Sequence, residues 1–339
     1  MSLIEEKIAR LAGYMSGFFA CWIIDIGSRL NLFEVINDCK SGISAKELAK
    51  RLRLDSHLVN MWCKAAYSFE LLDLDEKGNF HLADFMDLLL INNPNLYFIP
   101  GAIETYVGAS ESFFHFYEAF KTGKTLNLKD MGHFYHDAVE KATLTMPNYI
   151  ISNVLSNDPY LKNLVDKKAK ILDFGCGTGL GMIQYAKAFN NWNFLGVDIN
   201  QTLIHKADNN IRYNKLEERI KVNVITSGKF NVGRDFDLIL LTLTLHEIKN
   251  REAILRELSK ALKKDGNLLI LEFLWVENIV ELRSSSGRIV IGEQIAEAIL
   301  GNTLISASEM KELLKITNYR NVREYEIFGK ILKIYIAQR

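Results

Sequence analysis

The sequence predicts an α/β protein, a mostly parallel sheet preceded by a helical domain, and three observations predict it. From about residue 166 short apolar runs alternate with helical stretches, as in a parallel sheet covered on both faces. The first of these runs lies in KILDFGCGTGLG at 170–181, where an acid is followed by glycines at alternate positions. Residues 1–90 instead show helical spacing, then a Gly-Asn turn between two short alternating pieces.

In residues 1–90, SAKELAKRLRLD and SHLVNMWCKAAYSFELLDL each open on a Ser or Asp suited to an N-cap. DEKGNFHL predicts a two-stranded wing. Helix, turn, helix and hairpin together make a winged-helix domain. Its second helix, roughly residues 55–70, is apolar almost all round and is expected to be buried. The stretch Gly13–Ile24 is also expected as a buried helix, because it is too short to span a bilayer and runs into Asp25 and Arg29. Residues 91–165 form an aromatic, helical connector, entered at Pro94 and Pro100 and left at Asn157-Asp158-Pro159. Its run SFFHFYEAF is expected to close over a bound ligand or, by default, to pack in a core, and Met146 and Tyr149 are assigned to a substrate pocket.

Within residues 166–339, KILDFG, NFLGVD, IKVNVIT, FDLILLTLTL, NLLILEF, NVREYEIF and KILKIYIAQ are the expected strands. GMIQYAKAF, TLIHKADNNIRYN and NREAILRELSKAL are expected as helices between them. The insert SSSGRIVIGEQIAEAILGNT, before the last two strands, is positioned to roof a cavity.

Composition narrows the function. The 339 residues suffice for two domains, 48 % are apolar, and 41 basic side chains balance 41 acidic ones. That balance gives no electrostatic reason to expect nucleic acid or an anionic membrane. Cys21, Cys39, Cys63 and Cys176 are scattered, and the first residues carry Glu5 and Glu6 where a signal peptide would carry lysines. A cytoplasmic protein is expected. His133, His136 and Asp137 are the clustered candidates for a metal; a solvated or capping role is expected instead, and no metal.

A glycine-rich turn after the first strand lets backbone approach a ligand and aims the next helix's N-terminus at it. Gly175, Gly177 and Gly179 make D-x-G-x-G-x-G, whereas the dinucleotide fingerprint is G-x-G-x-x-G. Counted from Gly175 or from Gly177, the third glycine of that fingerprint falls on Leu180 or Met182. Asp198 ends the next strand, nineteen residues beyond Gly179, where a carboxylate can accept from both hydroxyls of a ribose.

In these features the chain resembles the class I S-adenosylmethionine-dependent methyltransferases. The resemblance implies a Rossmann-like seven-stranded sheet with its last strand antiparallel, and S-adenosylmethionine as cofactor. It groups Asp173, Gly175, Cys176, Gly177, Gly179, Asp198 and Ile199 as cofactor-binding. In VITSGKF, Thr226, Ser227 and Gly228 replace the acid with which this family often contacts adenine, and Thr242 after the fourth strand would lie near the methionine portion.

His246 sits just past that fourth strand, beyond the carboxyl ends where ligands of such sheets bind. Its L-H-E resembles the L-H-D of plant-type phenolic O-methyltransferases, which use the histidine as general base. An imidazole titrating near neutrality suits the removal of a hydroxyl proton, and Glu247 could orient it. The order of domains resembles plant and bacterial small-molecule O-methyltransferases and bacterial winged-helix methyltransferases, as do GSRLNLFEVI, Ile99–Ala102 and YEAFKTG. That likeness implies a homodimer formed through the front domain, and a small methyl acceptor, apolar or aromatic. Two alternatives stand beside it: an adenosylmethionine-sensing DNA-binding regulator, and a non-methylating enzyme on the same scaffold. Against DNA, the second helix carries Lys64 as its only cation and the wing is net acidic.

Overall fold

The computed structural model describes residues 2–91, 98–126, 131, 133–226, 230–327 and 331–339. The chain divides into two compact units, residues 1–114 with 131–148, and residues 115–130 with 149–339.

The first unit opens with four helices, α1 (Leu3–Arg29), α2 (Leu32–Asp38), α3 (Ala45–Leu52) and α4 (Ser56–Ser68). An antiparallel hairpin follows, β1 (Leu72–Leu74) and β2 (Phe80–Leu82), and Ile43 bridges Phe80 beside it. The hydroxyl of Ser44 and the carboxylate of Asp55 accept from Glu47 N and Leu58 N, capping α3 and α4 as their sequence suggests. Phe33, Ile36, Leu48, Trp62, Cys63, Ala66 and Leu72 form the core. Gly27 is required there, since a Cβ would lie 2.3 Å from the Phe33 ring.

Two expectations about this unit fail. α4 buries Val59, Trp62, Cys63 and Ala66 but exposes Leu58, Met61 and Tyr67; a helix buries the stripe it packs with, and apolar residues beyond that stripe stay outside. α1 is not buried. Asp25, Gly27 and Ser28 are its buried residues, while Ile8, Leu11, Met15, Phe18, Phe19 and Trp22 are exposed. By length and composition its 27 residues are apolar enough to cross a membrane. The uncharged run Leu11–Ile24 measures about 21 Å as a helix, short of the ~30 Å of a bilayer core.

The predicted connector 91–165 is shared between the units. Helices Pro100–Ala109 and His133–Thr143 pack closely in the first, Gly101 against the backbone of Ala142. Lys141 Nζ there donates to Glu104 Oε1 at 2.6 Å and to Ser28 Oγ at 2.7 Å. Residues 149–165 join the second, where the fully buried Asp158 accepts from Arg323 and from Tyr325 OH. In the helix Phe113–Thr122, Phe114, Tyr117 and Phe120 are exposed and none of its residues is buried, contrary to the core packing expected of that run.

The second unit holds the sheet: β3 (Ala169–Phe174), β4 (Trp192–Asp198), β5 (Ile220–Val224), β6 (Phe236–Thr242), β7 (Leu262–Trp275), β8 (Ile305–Ser306), β9 (Arg320–Ile327) and β10 (Leu332–Gln338). Spatial order is β5-β4-β3-β6-β7-β10-β9, and β10 is antiparallel to both neighbours. The seven expected strands are all present; β8 is an eighth, pairing parallel with the end of β7. The central strand β6 buries Leu238, Ile239, Leu240 and Leu241 completely or nearly so, as helices on both faces demand. One side packs Leu255, Leu258 and Met310 against it; elsewhere Tyr185, Phe189, Trp192 and Phe194 form an aromatic cluster. Chain order reverses between β3 and β6, which places the switch point, where such folds bind ligands, beside the glycine turn.

Candidate cofactor and catalytic site

Three glycines take left-handed backbone in the turn after β3, with φ of 86° at Gly175, 52° at Gly177 and 74° at Gly179. Gly175 N donates to Val197 O at 2.8 Å and Cys176 N to the same oxygen at 3.1 Å, tying the turn to β4. A Cβ on Gly175 would lie 2.4 Å from Thr244, whereas one on Gly177 would meet nothing within 4 Å. The first glycine is therefore needed for a close approach, and the second borders open space.

Asp198 ends β4 within reach of this turn. Its Oδ2 accepts from Gly177 N at 3.0 Å and its Oδ1 from Asn200 N at 2.8 Å, which leaves lone pairs on both oxygens for a ligand. Asp173 is buried at the end of β3; burial, then the charge of Asp198, pushes its carboxyl up to about 7. Burial likewise raises the Cys176 thiol, with Asp173 and Asp198 adding to it. Ile199 is exposed beyond β4, and Thr242 ends β6, its carbonyl accepting from Thr244 Oγ1 at 3.0 Å. Ser227 and Gly228 lie outside the described residues. Nearby Thr226, Leu195, Val197, Val224 and Phe230 help to line a cavity of about 340 Å³.

These observations test the expected cofactor. Two carboxylates beside a glycine turn repel a pyrophosphate and favour a cation, and a carboxyl held neutral by burial gains from a positive partner. The residues therefore fit a sulfonium nucleoside bearing an ammonium group better than a dinucleotide. Asp198 would hold the ribose, Gly175 to Gly179 would admit the ligand backbone, and Asp173 would face its positive charge.

His246 lies in the 3₁₀ turn Leu245–Glu247, after a left-handed Leu243 whose N donates to Leu271 O at 2.8 Å. The imidazole is buried, and its Nδ1 stands 2.8 Å from Glu272 Oε2. Glu272 Oε1 accepts from Leu245 N at 2.6 Å and His246 N at 3.3 Å, so one fully buried carboxylate fixes both turn and ring. On the other edge, Nε2 is 3.7 Å from Glu297 Oε2 and 4.0 Å from Glu247 Oε1, beyond hydrogen-bond reach of either. Burial alone would lower the imidazole pKa, but the charge and hydrogen bond of Glu272, then Glu297 and Glu247, push it up to about 9. Glu247, half of whose side chain is exposed, is raised by partial desolvation and by the charges of Glu297, Asp198 and Glu272, against the pull of His246.

Of the predicted residues, Asp173, Gly175, Gly177, Asp198, Thr242 and His246 share one end of the sheet. Met146 is buried in the first unit while Tyr149 belongs to the second. The orienting carboxylate of the ring is Glu272, not Glu247. Glu272 had a findable signal, an acid ending the apolar run NLLILEF, the same signal that marked Asp173 and Asp198. Glu297 had none, being one of two acids on its helix.

The fold and this acidic turn define a Rossmann-like domain of the class I methyltransferase type, whose cofactor is S-adenosylmethionine. Residues 165–320 match the family model described as a methyltransferase domain. Among curated proteins, demethylmenaquinone methyltransferase of Lactobacillus johnsonii is 27 % identical over 165 residues, 44 % of this chain and 68 % of that protein. Ribosomal protein L11 methyltransferase of Desulfotalea psychrophila is 26 % identical over 40 % of this chain, spanning 45 % of its own length. Carboxy-S-adenosyl-L-methionine synthase of Nautilia profundicola is 31 % identical over 35 % of this chain and 50 % of its own. The chain thus spans about half the length of the latter two, and the three act on different things. Two solved structures match along almost the whole chain. Human N-acetylserotonin methyltransferase, in complex with its cofactor, covers 100 % of this chain and 99 % of its own at 15 % identity, TM-score 0.71. An O-methyltransferase family protein from Burkholderia thailandensis covers 98 % of each at 16 % identity, TM-score 0.69. At such identities these likenesses establish the fold.

Proposed function

We infer that the protein transfers a methyl group to a hydroxyl of a small apolar or aromatic molecule, with His246 as general base. One observation carries the reading. The Nδ1 of a buried imidazole is fixed by Glu272 while its Nε2 has no hydrogen-bond partner among the described residues, at the sheet end that holds the glycine turn. Bound adenosylmethionine supplies an electrophilic methyl group. His246 is pushed up to about 9, so the ring is neutral chiefly toward alkaline pH; there, with Nδ1–H donated to Glu272, it presents an Nε2 lone pair, which would take the acceptor's proton as its oxygen attacks. The names of the structural neighbours support oxygen as the target. His246→Ala should cost at least about 10²-fold in turnover, with adenosylmethionine affinity unchanged by calorimetry. Labelled-methyl transfer to a panel of phenols and quinols reads the first quantity, and full turnover would remove the base.

The helices α3 and α4 and the β1–β2 hairpin support a winged helix used for assembly rather than for DNA. Leu58, Met61 and Tyr67 are the large apolar side chains that α4 exposes, with Lys64 as its cation. The exposed apolar length of α1 supports a homodimer, two copies covering each other's Leu11, Met15, Phe18 and Trp22. Four free thiols suit a cytoplasmic setting.

A further inference from the structure

The turn that carries His246 is held from behind by a guanidinium. Arg251 Nε donates to Leu245 O at 3.0 Å and Nη2 to His246 O at 3.2 Å, and Nη2 also donates to Thr303 O. Thr303 lies in the loop after the helix Ser285–Ile299, the helix that carries Glu297. In that loop Asn302 N donates to Glu297 O at 2.7 Å, and Asn302 Nδ2 to Glu297 Oε2 at 2.9 Å. This Oε2 is the atom 3.7 Å from His246 Nε2. Lys249 Nζ reaches Gly301 O in the same loop. A closed circuit therefore runs from the turn through Arg251, Thr303, Asn302 and Glu297 back to the other edge of the imidazole.

We propose that Arg251 is a positioning residue that locks the His246 turn to the 301–303 loop, so that Asn302 holds the Glu297 carboxylate against the Nε2 edge of the ring. The proposal rests on His246 being the base for its functional meaning, but the geometry stands by itself. A guanidinium is a rigid fork able to hold several carbonyls at once, and an ammonium is a single mobile head. Loosening the fork lets Glu297 drift from the imidazole, and its support of the protonated ring falls with distance. Glu272 from β7, Glu247 from the turn itself and Glu297 from the helix are the carboxylates that act on the ring, and Arg251 senses Glu272 from the carbonyl side.

Charge and geometry push in opposite directions, which makes a decisive test. Deleting the Arg251 charge alone would raise the imidazole titration, whereas releasing Glu297 lowers it. Arg251→Lys keeps the charge and loses the fork. In protein labelled with ¹³C-histidine, the His246 Cε1–H resonance, assigned by its loss in His246→Ala, is titrated from pH 5.5 to 10. Arg251→Lys and Asn302→Ala should each lower the midpoint by about half a pH unit or more, and the double variant should shift it no further than either single. An unchanged or raised midpoint in Arg251→Lys, or fully additive shifts, overturns the proposal. If Arg251→Lys fails to fold, Asn302→Ala alone decides by the same reading. The titration needs no methyl acceptor, so a failed base assignment, seen as full turnover in His246→Ala, remains distinguishable.

Discussion

Replacing Glu272 by glutamine tests the pair on which the proposed chemistry turns. The carboxylate serves two sets of donors, Leu245 N and His246 N on Oε1 and the His246 Nδ1–H on Oε2. An amide has one acceptor oxygen. The 2.6 Å contact with Leu245 N claims it, which turns the amide N–H toward Nδ1 and drives the ring into the tautomer with its proton on Nε2. That tautomer cannot act as a base, and turnover should fall by about 10³–10⁴-fold. Stability carries the second signature. The folded pKa of His246 lies above its ordinary 6.5, at about 9. The ion pair therefore contributes fully below pH 6.5, and that contribution is lost as pH rises through 9. Both groups are buried, so the interval corresponds to about 3 kcal/mol. Urea unfolding of the wild type and Glu272→Gln at a series of pH values measures it. The gap between the two proteins should shrink by about 3 kcal/mol between pH 6 and 10. A gap that stays constant with pH, together with intact turnover, would refute the reasoning.

Asp198→Ala removes the carboxylate assigned to the ribose, and should weaken adenosylmethionine by about 10²-fold or more in calorimetry while Tm changes little. Asp173 has its folded pKa raised to about 7, so a neutral carboxyl favours the folded state at low pH and that advantage is lost as pH climbs through 7. A cationic cofactor draws it to the ionised form, so affinity should rise from pH 5.5 to 7 with proton release, seen by calorimetry in buffers of different ionisation heat. Light scattering at micromolar concentration should give a dimer, and the pair Phe18→Glu and Trp22→Glu should give a folded monomer, since both rings are exposed within one chain.

Much of the fold was readable because its signals are local. Apolar runs of strand length between amphipathic helices announced the sheet, and KILDFG, NFLGVD and FDLILLTLTL became β3, β4 and β6. Glycines that must take positive φ, and acids ending apolar strands, pointed to the cofactor turn in the same way. The front helices were harder, because hydropathy counts apolar residues without knowing what lies opposite. α1 and Phe113–Thr122 looked like core, yet Phe18, Trp22, Phe114, Tyr117 and Phe120 are exposed.

Order along the chain thus settled the strand–helix alternation, the glycine turn and the acids beside it, since each depends on neighbours a few residues away. Tertiary structure alone decided how His246 is held. Glu272, Glu297 and Asn302 lie 26 to 56 positions away in sequence, and only the parallel register of β6 with β7, and the return of the loop after Ser285–Ile299, bring them to one imidazole. Residues that meet across a crossover leave no periodic trace in the string between them, because the contact is set by where the sheet ends and not by spacing along the chain.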